Sequence, residues 1–220
     1  QRNGVNIGGA TSSTYLLGDA DVGQTIRVVV SYTDGQGTNE SLTSAAVGPV
    51  ANVNDVPVLV TNTGSTVVRG GTDPLLPSEL QVTDIDNPPG QLLYTVTGGA
   101  ANGQLELTSA PGVSIASFTQ ADLDAGLVVY VHNGSFTTSD SVTFTVSDGA
   151  GGNIGPTTVT FTVTSVNSLP TLVANTGSNV TQSLSDGILA SELRVVDLDH
   201  APDGHEGIEL DALDLQLLLG

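Results

Sequence analysis

The sequence predicts an all-β fold, a string of tandem β-sandwich domains, on three observations. Apolar and polar residues alternate with a period of two over several short segments, as side chains do on opposite faces of a half-buried strand. Turn residues (Gly, Asn, Asp) separate those segments at short intervals, the pattern of a sandwich. A long block of sequence also recurs further along the chain. With 220 residues, there is room for one to three small domains.

The elements follow in chain order. Ile26, Val28, Val30 and Tyr32 point to one face of a strand, and Arg27, Ser31 and Thr33 to the other. Val142, Phe144 and Val146 alternate with Thr143, Thr145 and Ser147. Val159, Phe161 and Val163 alternate with Thr158, Thr160, Thr162 and Thr164. These last two runs flank Asp148-Gly149-Ala150-Gly151-Gly152-Asn153, a hairpin-type connection. Glu206 to Leu219 is Leu-rich and reads either as a short amphipathic helix or as a strand separated from its sheet. Aromatic residues make up 4% of the chain, so the cores should be small.

Asn54 to Pro89 aligns with Asn167 to Pro202 without a gap, and about half of the aligned positions are identical. Pro57/Pro170, Asn62/Asn175, Gly64/Gly177, Glu79/Glu192, Asp84/Asp197 and Asp86/Asp199 are among the matches. The repeat sets a plan of one complete domain over 53–166, the first half of a second copy over 167–220, and a different strand-rich module over 1–52. Both outer modules read as cut in mid-domain. Their open edges would be covered in a longer parent chain or by a neighbouring subunit.

Composition excludes whole classes of partner. The chain carries 23 acidic residues against four basic ones, a formal net charge of −19. Nucleic acid and anionic membrane surfaces both require clustered Lys and Arg, which are absent. No apolar run is long enough to span a bilayer. Strong self-repulsion favours bound cations, the first sign of a metal. Without Cys there are no disulfide staples.

The complete domain resembles the cadherin-like repeats of the chondroitin sulfate proteoglycan family and of giant bacterial surface adhesins. The residues that carry the resemblance are Val82-Thr83-Asp84-Ile85-Asp86, Leu92 to Thr97, Phe118-Thr119-Gln120-Ala121-Asp122-Leu123, Tyr130-Val131-His132-Asn133-Gly134, and Asp140 to Gly149. The half-repeat continues it to Pro202. The first module is similar to an immunoglobulin-like adhesin repeat through Tyr15-Leu16-Leu17, Asp19 to Gly23, Ile26 to Asp34 and Asn52 to Asp55.

The resemblance implies calcium at the domain junctions. Calcium takes 6–8 oxygen ligands, more than one turn supplies, so sites form where loops converge. The first junction would use Asn54 and Asp55 from the linker, Asp84 and Asp86 from the Asp-x-Asp loop, and Asp148. The second would use Asn167, Asp197 and Asp199, joined by Asp122 and Asp124 from the lower end of the complete domain. Asp19 and Asp21 are the matching pair of the first module. Two departures reduce the expected ion count. Arg69 and Gln182 stand where the pattern has a ligand Glu, and Ser168 replaces the Asp found at Asp55. The bland alternative is that each Asp-x-Asp turn caps its own backbone.

Catalysis finds little support. The histidines are His132, His200 and His205, and no His-Glu-x-x-His spacing or phosphate-cradling Gly loop occurs. A glycosidase needs two carboxylates across a cleft, whereas these acids gather at domain ends. Three Asn-x-Ser/Thr sequons, at Asn39, Asn133 and Asn179, are a short pattern common by chance. The expectation is therefore not an enzyme but a secreted or cell-surface extender, stiffened by calcium, with mechanical and adhesive work to do. Its partners would be the neighbouring domains of its own long chain, with other copies of itself and surface glycans or proteins as further candidates. The rival expectations are a filament or surface-layer subunit whose half-domains complete each other, and a glycan- or protein-binding module accessory to a secreted enzyme.

Overall fold

The computed structural model describes residues 1–196 apart from 168, 178, 180, 183–186, 188 and 190. Asp197, Asp199, His200, His205 and the Leu-rich stretch from Glu206 lie outside the described residues. The chain divides into two compact units, Gln1–Asp55 and Val56–Gly220.

In the first unit, β1 (Val29–Thr33) and β2 (Asn39–Thr43) form an antiparallel hairpin with Val30 opposite Leu42 and Tyr32 opposite Glu40. Asp34 closes the turn, its Oδ1 accepting the amides of Gln36 at 2.9 Å and Thr38 at 2.8 Å, an Asx-type turn. The strand begins at Val29 rather than Ile26, and the alternation expected of Val28, Val30 and Tyr32 does not appear in its burial, where Val29 is the less exposed residue. Val28, Val30, Tyr32 and Leu42 are each more than half exposed. Ile26 and Val28 continue into an apolar cavity of about 510 Å³ lined also by Tyr15, Leu17, Val47 and Pro49. The one fully buried residue among 1–55 is charged: Asp21, at 1% exposure.

The second unit holds a packed sandwich. Its strands are β3 (Val58–Asn62), β4 (Ser65–Val68), β5 (Thr72–Pro74), β6 (Leu80–Thr83), β7 (Leu93–Gly98), β8 (Gly103–Leu107) and β9 (Ser117–Thr119). After the one-turn helix α1 (Gln120–Asp124) come β10 (Val128–His132), β11 (Ser139–Ser147) and β12 (Asn153–Thr164). One sheet has the order β4-β12-β11-β7-β9, another β5-β10-β8, and β3 pairs with β6. The two Val/Phe runs are the heart of the first sheet. Val142, Phe144, Val146, Val159, Phe161 and Val163 all point inward and are buried. Tyr130 of β10 stacks on Phe161 with centroids 4.0 Å apart, which joins the two larger sheets. Tyr94 stacks on Phe118 at 4.7 Å. Burying each such side chain contributes about 1.5–3 kcal/mol, so this unit has the apolar core that the first lacks. Gly103 permits the close approach of β8 to β10, because a Cβ there would meet Val131 O at 2.5 Å.

The sequence repeat is also a structural one. β13 (Thr171–Asn175) and β14 (Leu193–Val196) pair as β3 and β6 do. Val58 faces Thr83, and Thr171 faces Val196. The bulge between Leu59 and Thr61 reappears between Leu172 and Ala174. Gly64 and Gly177 follow β3 and β13 with φ of 76° and 71°, the left-handed region that favours glycine. Glu79 Oε2 accepts the Leu76 amide at 2.9 Å, and Glu192 Oε2 accepts that of Leu189 at 2.9 Å.

Candidate functional site

Register fixes which loops meet. The chain arrives at Val58 opposite Thr83, one residue before Asp84. β11 ends at Ser147 opposite Leu93 of β7, and Leu93 is opposite Thr119 of β9. The upper end of the sandwich therefore collects the start of β3, the Asp84 loop, the Asp148 turn and α1.

Each carboxylate there has a describable role. Asp84 Oδ1 accepts the amides of Asp86 at 2.8 Å and Asn87 at 3.1 Å. Its Oδ2 is buried and makes no hydrogen bond. Asn87 donates its Nδ2 to Gln91 Oε1 at 2.8 Å and to the Asp148 carbonyl at 3.3 Å, and its Oδ1 is likewise buried without a partner. Asp148, 3% exposed, anchors the hairpin turn. Its Oδ1 accepts from Ala150 N at 2.7 Å and Gly152 N at 3.0 Å. Asp86 is half-buried in the same loop. In the first unit, Asn54 is half-buried and donates its Nδ2 to Asp55 O at 2.6 Å, and Asp55 is exposed. A buried acceptor with no donor costs about 1–3 kcal/mol, more when charged. Two such oxygens in one loop suit a hard cation. Among the described residues no three Asp, Glu or His side chains come together as a ready metal cage. The turns themselves take up one oxygen of Asp84 and both of Asp148.

The placement expected for Asp122 and Asp124 needs correction. They lie at the upper end with Asp84 and Asp148, not at the lower end that leads to Asn167, because α1 links β9 to β10 where both strands stand at the top. Gln120 N donates to Leu92 O at 3.0 Å in the same region. Asp122 closes a capping box on Thr119, accepting from its N at 2.8 Å and its Oγ1 at 2.7 Å. Asp124 Oδ1 accepts from Gln120 Nε2 at 2.8 Å. Of the Asp19/Asp21 pair, Asp21 is engaged within its own unit. Asp21 takes the Arg2 guanidinium at 2.7 Å, the Tyr15 hydroxyl at 3.0 Å and the Gly18 amide at 3.0 Å. The Gly18 amide, then Arg2 and Tyr15, hold its carboxyl below the usual aspartate range despite burial.

Sequence reasoning missed Asn87. Its counterpart in the second copy is His200, so the repeat gave no signal there. Asn167 is exposed on the linker after β12. His132 is engaged in packing. Its Nδ1 accepts from the amides of Gly70 at 3.1 Å and Gly134 at 3.0 Å, and its Nε2 meets Thr137 Oγ1 at 3.1 Å.

Strand order and an oxygen-rich upper end thus define a class: a repeating β-sandwich module whose acidic loops gather where the preceding chain arrives. Residues 57–165 match the Cadherin-like family model. Over that stretch the chain is similar to a cadherin-like domain. It is 32% identical over 188 residues to the extracellular matrix organizing protein FRAS1 of Mus musculus, covering 84% of this chain and 5% of that protein. It is 43% identical over 101 residues to chondroitin sulfate proteoglycan 4 of Homo sapiens, covering 46% of this chain and 4% of that protein. Extracellular matrix protein 3 of Lytechinus variegatus is 32% identical over 136 residues, 61% of this chain and 4% of its own length. The chain therefore spans about a twentieth of these relatives or less. These relatives are named as extracellular matrix proteins and a proteoglycan. No helix among the described residues is long and apolar enough to cross a membrane.

Proposed function

We propose that this chain is a calcium-rigidified extender segment of a large extracellular adhesin or matrix protein, with a structural and adhesive role rather than a catalytic one. The domain plan is a partial immunoglobulin-like module over 1–52, a complete cadherin-like repeat over 53–166 and half of the next over 167–220. The observation that carries the calcium reading is the pair of buried, unpartnered oxygens, Asp84 Oδ2 and Asn87 Oδ1, beside the buried Asp148 turn. With Asn54, Asp55 and Asp86 they give the first junction its oxygen ligands. Asp122 and Asp124 add negative charge at the same end. Asn167, Asp197 and Asp199 are the corresponding set of the second junction. When bound, calcium neutralises the loops and fixes the angle between domains. The residues of this chain supply the turns that aim those oxygens.

Extracellular modules bind calcium at roughly 10⁻⁴ to 10⁻³ M. A hundredfold excess over Kd stabilises a site by about 2.7 kcal/mol, or about 10 °C in a domain of this size. Thermal unfolding of the full chain in EDTA, then in millimolar calcium with magnesium as control, tests this. The expected result is a calcium-specific rise that Asp84→Ala with Asp86→Ala removes and Asn87→Ala reduces. Equal curves in all three conditions would leave the turns as backbone caps alone.

One observation favours a second reading. The apolar face of β1 and β2 is uncovered, as required of a half-domain completed by a neighbouring chain in a filament or surface layer.

A further inference from the structure

The lower end of the sandwich, where β12 hands over to the second linker, carries a cation. Arg69 follows β4 directly. Its amide donates to Thr164 O at 2.9 Å, prolonging the parallel β4–β12 ladder. The next amide, Gly70, donates to Nδ1 of His132, which is 3% exposed and fixed on its other side by Thr137. The main chain is thus anchored on both sides of Arg69. From this base the guanidinium lies over the Phe136 ring, 4.3 Å from its centroid, and Nη2 donates to Val166 O at 2.8 Å. Stacking on an aromatic face and donating to oxygen are both suited to a planar, weakly hydrated cation. Asp140 is tied to the Tyr130 hydroxyl and to the amides of Ala101 and Asn102, while Asp122 and Asp124 stand at the opposite end. The second linker also reads Asn167-Ser168 where the first reads Asn54-Asp55, so it offers one carboxylate fewer.

We propose that Arg69 is a positioning residue that holds the second linker by a built-in positive charge, in the place where the repeat pattern has a metal-ligand Glu. This shares with the function proposed above the idea that linkers are the points to be stiffened, but it does not depend on calcium binding. A guanidinium stays charged throughout the physiological range, so this hold is indifferent to both metal and pH. The equivalent position in the second copy is Gln182, so the device belongs to the junction that follows the complete domain.

Amide hydrogen exchange on the full chain tests it, with Arg69→Gln and Arg69→Lys compared in EDTA and in millimolar calcium. A hydrogen bond from a charged donor predicts about tenfold faster exchange over 165–167 when the charge is removed. The expected result is that acceleration in Arg69→Gln under both conditions, unchanged protection in β11, and partial recovery in Arg69→Lys. Unaltered linker exchange in Arg69→Gln overturns the proposal. So does equal acceleration in β11 with both variants, which means a packing role, and so does linker protection in the unaltered chain that EDTA abolishes. The calcium reading has its own signature in the same data, calcium-dependent protection at 84–87 and 148–152. Its absence would leave the Arg69 result standing.

Discussion

The acids of this chain differ from one another in what surrounds them. Asp140 lies half-buried at the start of β11. Burial alone would raise its pKa, but the Tyr130 hydroxyl and the amides of Asn102, Ser141 and Ala101 outweigh that and hold it below the usual aspartate value. Burial, and then the bond to Asp140, pushes the Tyr130 hydroxyl up, so it remains a donor. A carboxyl whose folded pKa is depressed adds stability that is complete above its unfolded pKa, near 4, and disappears as pH falls through the folded value. Asp140→Asn should therefore lower the melting temperature at pH 7, with the difference from the unaltered chain closing as pH falls through the depressed folded value. Melting curves across that range check it, and a difference that stayed constant in acid would contradict the assignment. Asp84 and Asn87 show the opposite arrangement, with one oxygen of each left buried without a donor.

At the scale of elements, α1 shows how a short segment acquires weight beyond its length. Five residues would not hold a helix alone, since nucleation is costly. Thr119 and Asp122 cap it, and Gln120, 1% exposed, locks it to two strands. Gln120 Oε1 accepts from Val82 N at 2.9 Å and the Tyr94 hydroxyl at 2.6 Å. Replacing it with Leu leaves two buried donors unmet, at a cost of about 2–4 kcal/mol. Urea unfolding should show a lower midpoint with an unchanged slope. A change within 0.5 kcal/mol, the range typical of surface substitutions, would mean the staple is ornamental. The strands β11 and β12 were legible because their alternation has one period and both faces matter. The role of Gln120 was not, because a polar residue before an Asp reads as surface until its partners are seen.

For the whole molecule, the two units differ in what holds them. The unit Val56–Gly220 packs Tyr94, Tyr130, Phe144 and Phe161 at 1% exposure or less. The unit Gln1–Asp55 has only Asp21 fully buried, and leaves Val28, Val30, Tyr32 and Leu42 in solvent. An isolated two-stranded hairpin is marginal in water. Scanning calorimetry of the full chain should show the first unit unfolding earlier, with the smaller enthalpy, and the second later. One transition carrying the enthalpy of the entire chain would count against that. Calcium should move the later transition, because the orphaned oxygens belong to its unit.

By itself the sequence determined the all-β class, the alternating core of β11 and β12, the recurrence of one module and its likeness to a cadherin-like repeat. Those properties are periodic or shared between copies, and a period survives without coordinates. Only the tertiary structure decided which end each acid occupies. Asp122 and Asp124 moved to the upper end because strand polarity, not distance along the chain, sets where a connecting helix stands. Asn87 and Arg69 emerged in the same way. One gains its meaning from a hydrogen bond to the Asp148 loop and a buried oxygen without a donor. The other gains it from a ring and a linker carbonyl nearly a hundred residues downstream. Such relations between distant residues leave no periodic trace, because they come from how the sheets close on each other.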